Sequence, residues 1–230
     1  MIFTSLLTNP AVSVLMTLAA YAAGFRLHRR WNWIPPIVAA CFPIMMILLV
    51  AHEPWATYNS GGSVLTWLLG PATVGLAVPM YRHGQVLRRS LPALALMVLI
   101  GSIVGMVTAG VTAWLLGAPL PVVMSAVPKS VTTPIAIEVC AELHGIPQIT
   151  IALVILAGVL GASFGPPLLR LAGVRDDRAI GAAMGTASHG VGTASLVHRS
   201  EFQASVSSWA MAAAGVFTSL LAALLALFLR

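Results

Sequence analysis

Charge is scarce in this sequence. Its 230 residues include twelve Lys or Arg and six Asp or Glu, 8% of the chain, against 59% hydrophobic residues and a mean hydropathy of +0.95. A soluble domain devotes about a quarter of its residues to charge, because its surface must be hydrated. So few charges cannot coat a 24.0 kDa protein in water, and the solvent implied is lipid. Lysine is all but absent, Lys129 being the only one. Cysteine is nearly so: Cys41 and Cys140 both lie in apolar stretches, which argues against a disulfide framework and a metal site. No nucleotide loop, haem motif or metal-ligand cluster is present, so no cofactor is expected. The net charge of +6 suits a nucleic-acid binder, but no basic stripe with interleaved aromatics accompanies it, and no nucleic-acid partner is expected. No basic region precedes the first apolar run, which reads as a first span rather than a cleaved signal.

What is present is apolar length. A spanning helix needs about 20 mostly apolar residues. Five stretches meet this as continuous helices: 8–27, 34–51, 91–116, 148–172 and 203–229. Three more, 61–81, 120–143 and 178–198, are apolar but interrupted by Gly, Pro and hydroxyl residues. The expected fold is an all-α polytopic membrane protein of about five continuous helices plus three broken or re-entrant segments. It forms one domain over 1–230, with frame helices mainly in 1–116, broken segments in 117–200 and a last helix at 203–229.

Arginine orients the chain. The clusters Arg26/Arg29/Arg30, Arg82/Arg88/Arg89 and Arg170/Arg175/Arg178 all belong on the cytoplasmic side under the positive-inside rule. Parity then makes 120–143 start and end on the outer face, as a re-entrant hairpin. Segment 178–198 either crosses, or re-enters from the cytoplasm to oppose the first hairpin.

The sharpest local signal is Pro128-Lys-Ser-Val-Thr-Thr-Pro134. Its two prolines break the helical hydrogen-bond ladder, and irregular backbone at membrane depth is tolerated only when buried in protein or lining a cavity. Lys129, Ser130, Thr132 and Thr133 there suit a small carboxylate; the competing reading has Lys129 snorkelling from a tight outer turn. Glu138, with Glu142 one turn on, either pairs with Lys129, carries a coupling proton or is simply exposed. The glycine-rich run 181–194 supplies Thr186, Ser188, His189 and Thr193. His189 is either a substrate or proton-coupling group, or a structural histidine bonded to a carbonyl. Ser188-His189 is no hydrolase pair, since sequence neighbours on a helix do not face each other, and no enzyme is expected. Leu69-Gly-Pro-Ala-Thr-Val74 breaks a third segment and adds Thr73. Gly101/Gly105 and Gly161/Gly165 have small-xxx-small spacing, suited to packing within the chain.

Four blocks, Tyr58-Asn-Ser-Gly-Gly62, Leu69-Gly-Pro-Ala-Thr-Val74, Pro128-Lys-Ser-Val-Thr-Thr-Pro134 and Gly185-Thr-Ala-Ser-His-Gly-Val-Gly-Thr193, resemble the signature blocks of the LrgB/CidB family, in the right order over essentially the whole chain. The resemblance implies a bacterial inner-membrane protein with an LrgA/CidA-type membrane partner. Family members were described as holin/antiholin-like regulators of murein hydrolase activity and cell lysis. The related plastidic glycolate/glycerate translocators carry 2-hydroxy acids, and some bacterial relatives are linked to pyruvate or other short carboxylates. Together with the lysine block, this gives the expectation of a transporter of small monocarboxylates (glycolate, glycerate, lactate or pyruvate) working by alternating access. A homodimer scaffold is expected by analogy with other hairpin transporters, and lysis regulation is the alternative.

Overall fold

The computed structural model describes residues 7–31, 36–197 and 199–228, without the side chains of Leu69, Thr73 and Val86. Secondary structure among the described residues is entirely helical. The chain divides into two compact units, Met1–Val74 and Gly75–Arg230.

In the first unit, α1 (Pro10–Arg30) starts at Asn9, whose side chain accepts the Ala11 amide at 3.0 Å, with Pro10 at the first helical position. It packs on α2 (Pro36–Val50) where Gly24 lets the Pro36 carbonyl come close: a β-carbon at Gly24 would lie 2.6 Å from that oxygen. Leu7, Ile44, Leu48 and Tyr58 form the small core, and the Tyr58 and Thr17 hydroxyls share a hydrogen bond of 2.5 Å. Two helices, α3 (Trp55–Gly61) and α4 (Ser63–Gly75), complete this half.

The second unit contains α5 (Ala77–Arg82), α6 (Gly84–Leu115), α7 (Leu120–Ala126), α8 (Thr133–Glu142), α9 (Pro147–Leu171), α10 (Asp177–Val197) and α11 (Glu201–Phe228). Among the described residues, five stretches are long and apolar enough to cross a membrane: α1, Ser63–Arg82 (α4 with α5), Leu87–Leu115 of α6, α9 and α11. The number agrees with the sequence reading, but the membership differs. Segment 61–81 is interrupted as expected, but at Leu76, between α4 and α5, rather than in the Leu69–Val74 block; helix runs through Pro71, because a proline can bend a helix without ending it. Of the expected span 34–51, α2 covers the 15 described residues Pro36–Val50. Residues 34, 35, 198 and 229, at the edges of the expected spans, lie outside the described residues.

Segments 120–143 and 178–198 are both hairpins. In the first, Val123 and Met124 of α7 pack with Val139 and Leu143 of α8 against Ala222 and Ala226 of α11. The Ile146 amide donates to Ser125 Oγ at 2.7 Å, and Thr150 Oγ1 donates to the Ser125 carbonyl at 2.9 Å, so the chain leaves where it entered. The second reversal is inside α10, at His189 (φ 40°, ψ −136°). Residues beyond the break return along those before it. Leu196 packs with Ile180 and Met184, and a β-carbon at Gly192 would lie 3.1 Å from the Met184 carbonyl. The alternative left open by the sequence is therefore decided: 178–198 re-enters.

The hairpins enter from opposite ends. The base of the second lies at the arginine-rich end, where Arg82 pairs with Glu201 at 3.0 Å and Arg178 with Asp176 at 3.3 Å. Asp176 Oδ1 accepts the Arg178 and Ala179 amides and opens α10. The Ala179 amide, then the Arg178 side chain, hold its carboxyl below the usual range. The base of the first packs near the far ends of α6 and α11, through Ala113, Ala222 and Ala226. Thus α6 with its following hairpin, and α9 with its own, repeat one motif in opposite directions.

This geometry makes a topological prediction. In a background lacking Cys41 and Cys140, single cysteines near Gly117 and Gly145 should both be labelled by an impermeant reagent from outside. Cysteines at Arg175 and Arg199 should both be labelled only from the cytoplasmic side. Labelling of either pair from opposite faces would turn that hairpin into a crossing helix.

Candidate functional site

The two hairpin tips meet in the middle of the second unit. Between α7 and α8 the chain runs through Val127–Thr132 in turns, with Pro128 and Pro134 on either side. Helix α8 resumes behind Thr132, whose side chain makes no capping hydrogen bond, so the first amides of α8 face the tip uncapped. Val131 is buried with Ala136 and with Val154 of α9. From the other side, His189 reaches the same residue: its Nε2 lies 3.0 Å from the Val154 carbonyl. A carbonyl only accepts, so the imidazole carries its proton on Nε2 and donates it there. Val154 thus touches both tips.

Helix α6 joins them a second time. A β-carbon at Gly101 would lie 3.1 Å from Thr186 Cγ2, and one at Gly105 would lie 3.7 Å from Ser130 Oγ. These glycines are one turn apart on one face, so Thr186 of one hairpin and Ser130 of the other lie against adjacent turns of a single helix. On α9 a β-carbon at Gly158 would lie 2.8 Å from His189 Cε1, and Gly161 receives Ser188 Oγ in direct contact. The small-xxx-small pairs serve intrachain packing, as their spacing suggested.

Lys129 is half-buried, and its Nζ donates to Ser130 Oγ at 2.9 Å. It forms no ion pair among the described residues; both ion pairs found there are the exposed arginine pairs. Of the three readings of Glu138, the pairing with Lys129 is not made. Glu138 lies on the exposed face of α8, as does Glu142, because helical phase directs Ala136, Val139 and Cys140 inward instead. Thr132 and Thr133 are half-buried beside the lysine.

The other candidates divide. Thr186 is buried, but its proton goes to the Ala182 carbonyl at 2.7 Å, leaving only acceptor capacity. Thr193 is fully buried, donates to the His189 carbonyl at 2.8 Å and shares a 2.8 Å bond with Ser207 Oγ, so it joins α10 to α11. Ser188 and His189 are buried at the tip. Thr73 falls in the first unit, and its side chain is outside the described residues. The sequence reading passed over Ser102. It is 4% exposed, and its Oγ is the buried side-chain polar atom left without a partner among the described residues. Its place within Gly101-Ser-Ile-Val-Gly105 was the available signal. Leaving such a hydroxyl unsatisfied costs about 1–3 kcal/mol. No group of three or more His, Cys, Asp or Glu among the described residues is placed to hold a metal.

The site therefore offers one cation, several hydroxyls and two helix starts, that of α8 and that following His189, converging from opposite sides. Such a set can hold an anion. The profile of the LrgB-like family matches residues 17–228. The chain belongs to that family. It is 33% identical over 210 residues to YxaC of Bacillus subtilis (strain 168), covering 90% of this chain and 91% of the relative. It is 34% identical over 211 residues to YwbG of the same organism, covering 90% and 93%. Antiholin-like protein LrgB of Bacillus mycoides (strain KBAB4) is 29% identical over 213 residues, 91% of this chain and 93% of the relative. No solved structure matches the chain. Membership and the long apolar helices together make this LrgB-like chain a multi-pass membrane protein.

The packing of Ser188 on Gly161 gives a stability prediction. Gly161→Ala should destabilise the protein by about 1–3 kcal/mol, the usual range for overpacking, lowering its melting temperature in detergent. Gly105→Ala, facing Ser130 at ordinary contact distance, should leave that temperature unchanged or raise it. Equal melting temperatures for the two variants would mean that Ser188 is not seated on α9.

Proposed function

We propose that this LrgB-like protein is a transporter of small monocarboxylates, 2-hydroxy or 2-keto acids such as glycolate, glycerate, lactate or pyruvate, working by alternating access in the bacterial inner membrane. The observation that carries the reading is Lys129: a half-buried cation at the tip of a broken membrane segment, bonded to a serine and with no carboxylate beside it among the described residues. An unpaired charge at such a depth is expensive, and a substrate carboxylate supplies the missing counter-charge. Ser130, Thr132, Thr133 and the first amides of α8 surround that carboxylate. Ser188 and His189 close the site from the opposing hairpin, and Thr186 lends acceptor capacity. Two inverted hairpins meeting near mid-depth support alternating access, because motion of either opens the site to one side.

His189 or Glu138 carries the coupling proton in this reading, His189 by exchanging its bond to Val154 for one to substrate. A homodimer forms the scaffold, and an LrgA/CidA-type membrane partner associates with it.

A second reading has its own support: relatives at 29% identity bear the name antiholin-like protein LrgB. An antiholin-like regulator of murein hydrolase activity would act through a partner protein and need no substrate. Uptake of labelled glycolate, lactate and pyruvate into liposomes holding the purified protein alone separates the two, since a pure regulator accumulates none.

Lys129→Ala should abolish that uptake while leaving expression and detergent melting nearly intact. Lys129→Arg should rescue poorly, because a planar fork replaces a compact ammonium. Normal transport by Lys129→Ala would overturn the anion site. His189→Gln, whose amide can still donate to Val154, should flatten the pH dependence of uptake more than it weakens substrate binding. An unchanged pH profile would leave Glu138 as the proton carrier.

A further inference from the structure

We propose that Ser102 on α6 is the hydrogen-bond donor that recognises the oxygen on C2 of the substrate, an inference that rests on the carboxylate-transport reading above. Its hydroxyl is buried and has no partner among the described residues. Three other buried hydroxyls of the unit have committed their protons: Thr186 to the Ala182 carbonyl at 2.7 Å, Thr193 to the His189 carbonyl at 2.8 Å, and Ser208 to the Ala204 carbonyl at 2.9 Å. Each bonds back to its own helix, four residues earlier, as a serine in a helix readily does. Ser102 makes no such bond, although a carbonyl stands four residues before it, at Val98.

The position matches the role. Ser102 continues the buried stripe of Leu94 and Val98 along α6, the side packed against α10 and α11. It precedes Gly105 by three residues, so the two are neighbours on the helix surface. Gly105 faces Ser130 Oγ, and Ser130 Oγ accepts from Lys129 Nζ. The uncommitted hydroxyl is thus about one helical turn from the glycine against which Ser130 and the uncompensated ammonium lie, which puts both groups on one side of α6. Lys129 holds the carboxylate, and Ser102 donates to a 2-hydroxyl or 2-keto oxygen. Such a donor separates glycolate from acetate and pyruvate from propionate, pairs with similar carboxylates. A site built to hydrogen-bond an oxygen rejects the analogue that lacks it, because its polar group is then left unpaired.

The test uses the full-length protein in liposomes, with initial uptake of labelled glycolate and labelled acetate measured over a range of concentrations. The wild type should favour glycolate. Ser102→Ala should raise the KM for glycolate about tenfold, the worth of one hydrogen bond, and leave that for acetate unchanged, so the preference collapses. Ser102→Cys, close in volume and a weak donor, should fall between. The melting temperature of Ser102→Ala in detergent should be no lower than wild type, since removing an unpaired hydroxyl takes no internal bond away. Three results overturn the proposal while leaving transport intact: a wild type indifferent to the C2 oxygen, a Ser102→Ala protein that keeps the wild-type preference, or one that loses both acids equally. Uptake of neither acid by the wild type, nor of lactate or pyruvate, overturns the transport reading and this proposal with it.

Discussion

Backbone that leaves the helix inside an apolar layer must be hidden from lipid, and the second unit is arranged around that requirement. An unsatisfied peptide group in hydrocarbon costs several kcal/mol. A side-chain hydrogen bond between membrane helices recovers well under that, about 0.6 kcal/mol on average. Individual bonds such as Thr193 to Ser207 therefore cannot make two broken segments tolerable. Enclosure can. The tips at 127–132 and at His189 abut one another through Val154, with α6 and α9 against both and α11 packed on each hairpin.

Enclosure at this distance dictates the side chains. Lipid gives no hydrophobic advantage to one apolar helix packing on another, so close approach of small residues has to supply the contact. Gly158 and Gly161 admit the His189 ring and the Ser188 hydroxyl, while Gly185 brings α10 against the Ser207 carbonyl of α11. The same tight fit holds His189 at φ 40°, territory natural to glycine and worth about 1–3 kcal/mol of strain for any other residue. Its Nε2 bond to Val154 and the glycine beside it at 190 keep the reversal at this residue.

The two hairpins were unequally legible in the sequence. Pro128 and Pro134 mark the first, since two prolines so close together interrupt the helical ladder, and arginine parity required it to return. The second has no proline. Glycine permits a reversal without requiring one, and the break falls on a histidine whose backbone angle is set by contacts from α9, more than 25 residues away in sequence. The same limit explains why the break in 61–81 falls at Leu76 and not in the Leu69–Val74 block. It also explains Glu138: spacing put it on one face with Glu142, but which face turns toward Lys129 depends on packing. For Ser102 the flanking Gly101 and Gly105 mark a close-packed face, but that its hydroxyl lacks a partner emerges only when the bonds around it are counted.

The inverted arrangement does not make the hairpins mechanically alike. The one carrying His189 is held along its length, by Met184 against Gly165, Ser188 on Gly161 and His189 on Val154. The one carrying Lys129 is fixed through Ser125 to Ile146 and Thr150 and by Val131 buried against Val154, while Ser130 meets α6 only at ordinary contact distance. The glycines of α9 thus grip the histidine tip more closely than Gly105 of α6 meets Ser130. On the transport reading, the lysine tip is taken as the gate and the histidine hairpin as the wall it closes against. The charge itself then helps to determine when the gate moves. With no carboxylate beside it, Lys129 is better solvated near the outer face; with a bound anion it is neutralised and can settle against α6. On that reading substrate binding and closure are the same electrostatic event, which is how a single lysine in so apolar a chain would govern both.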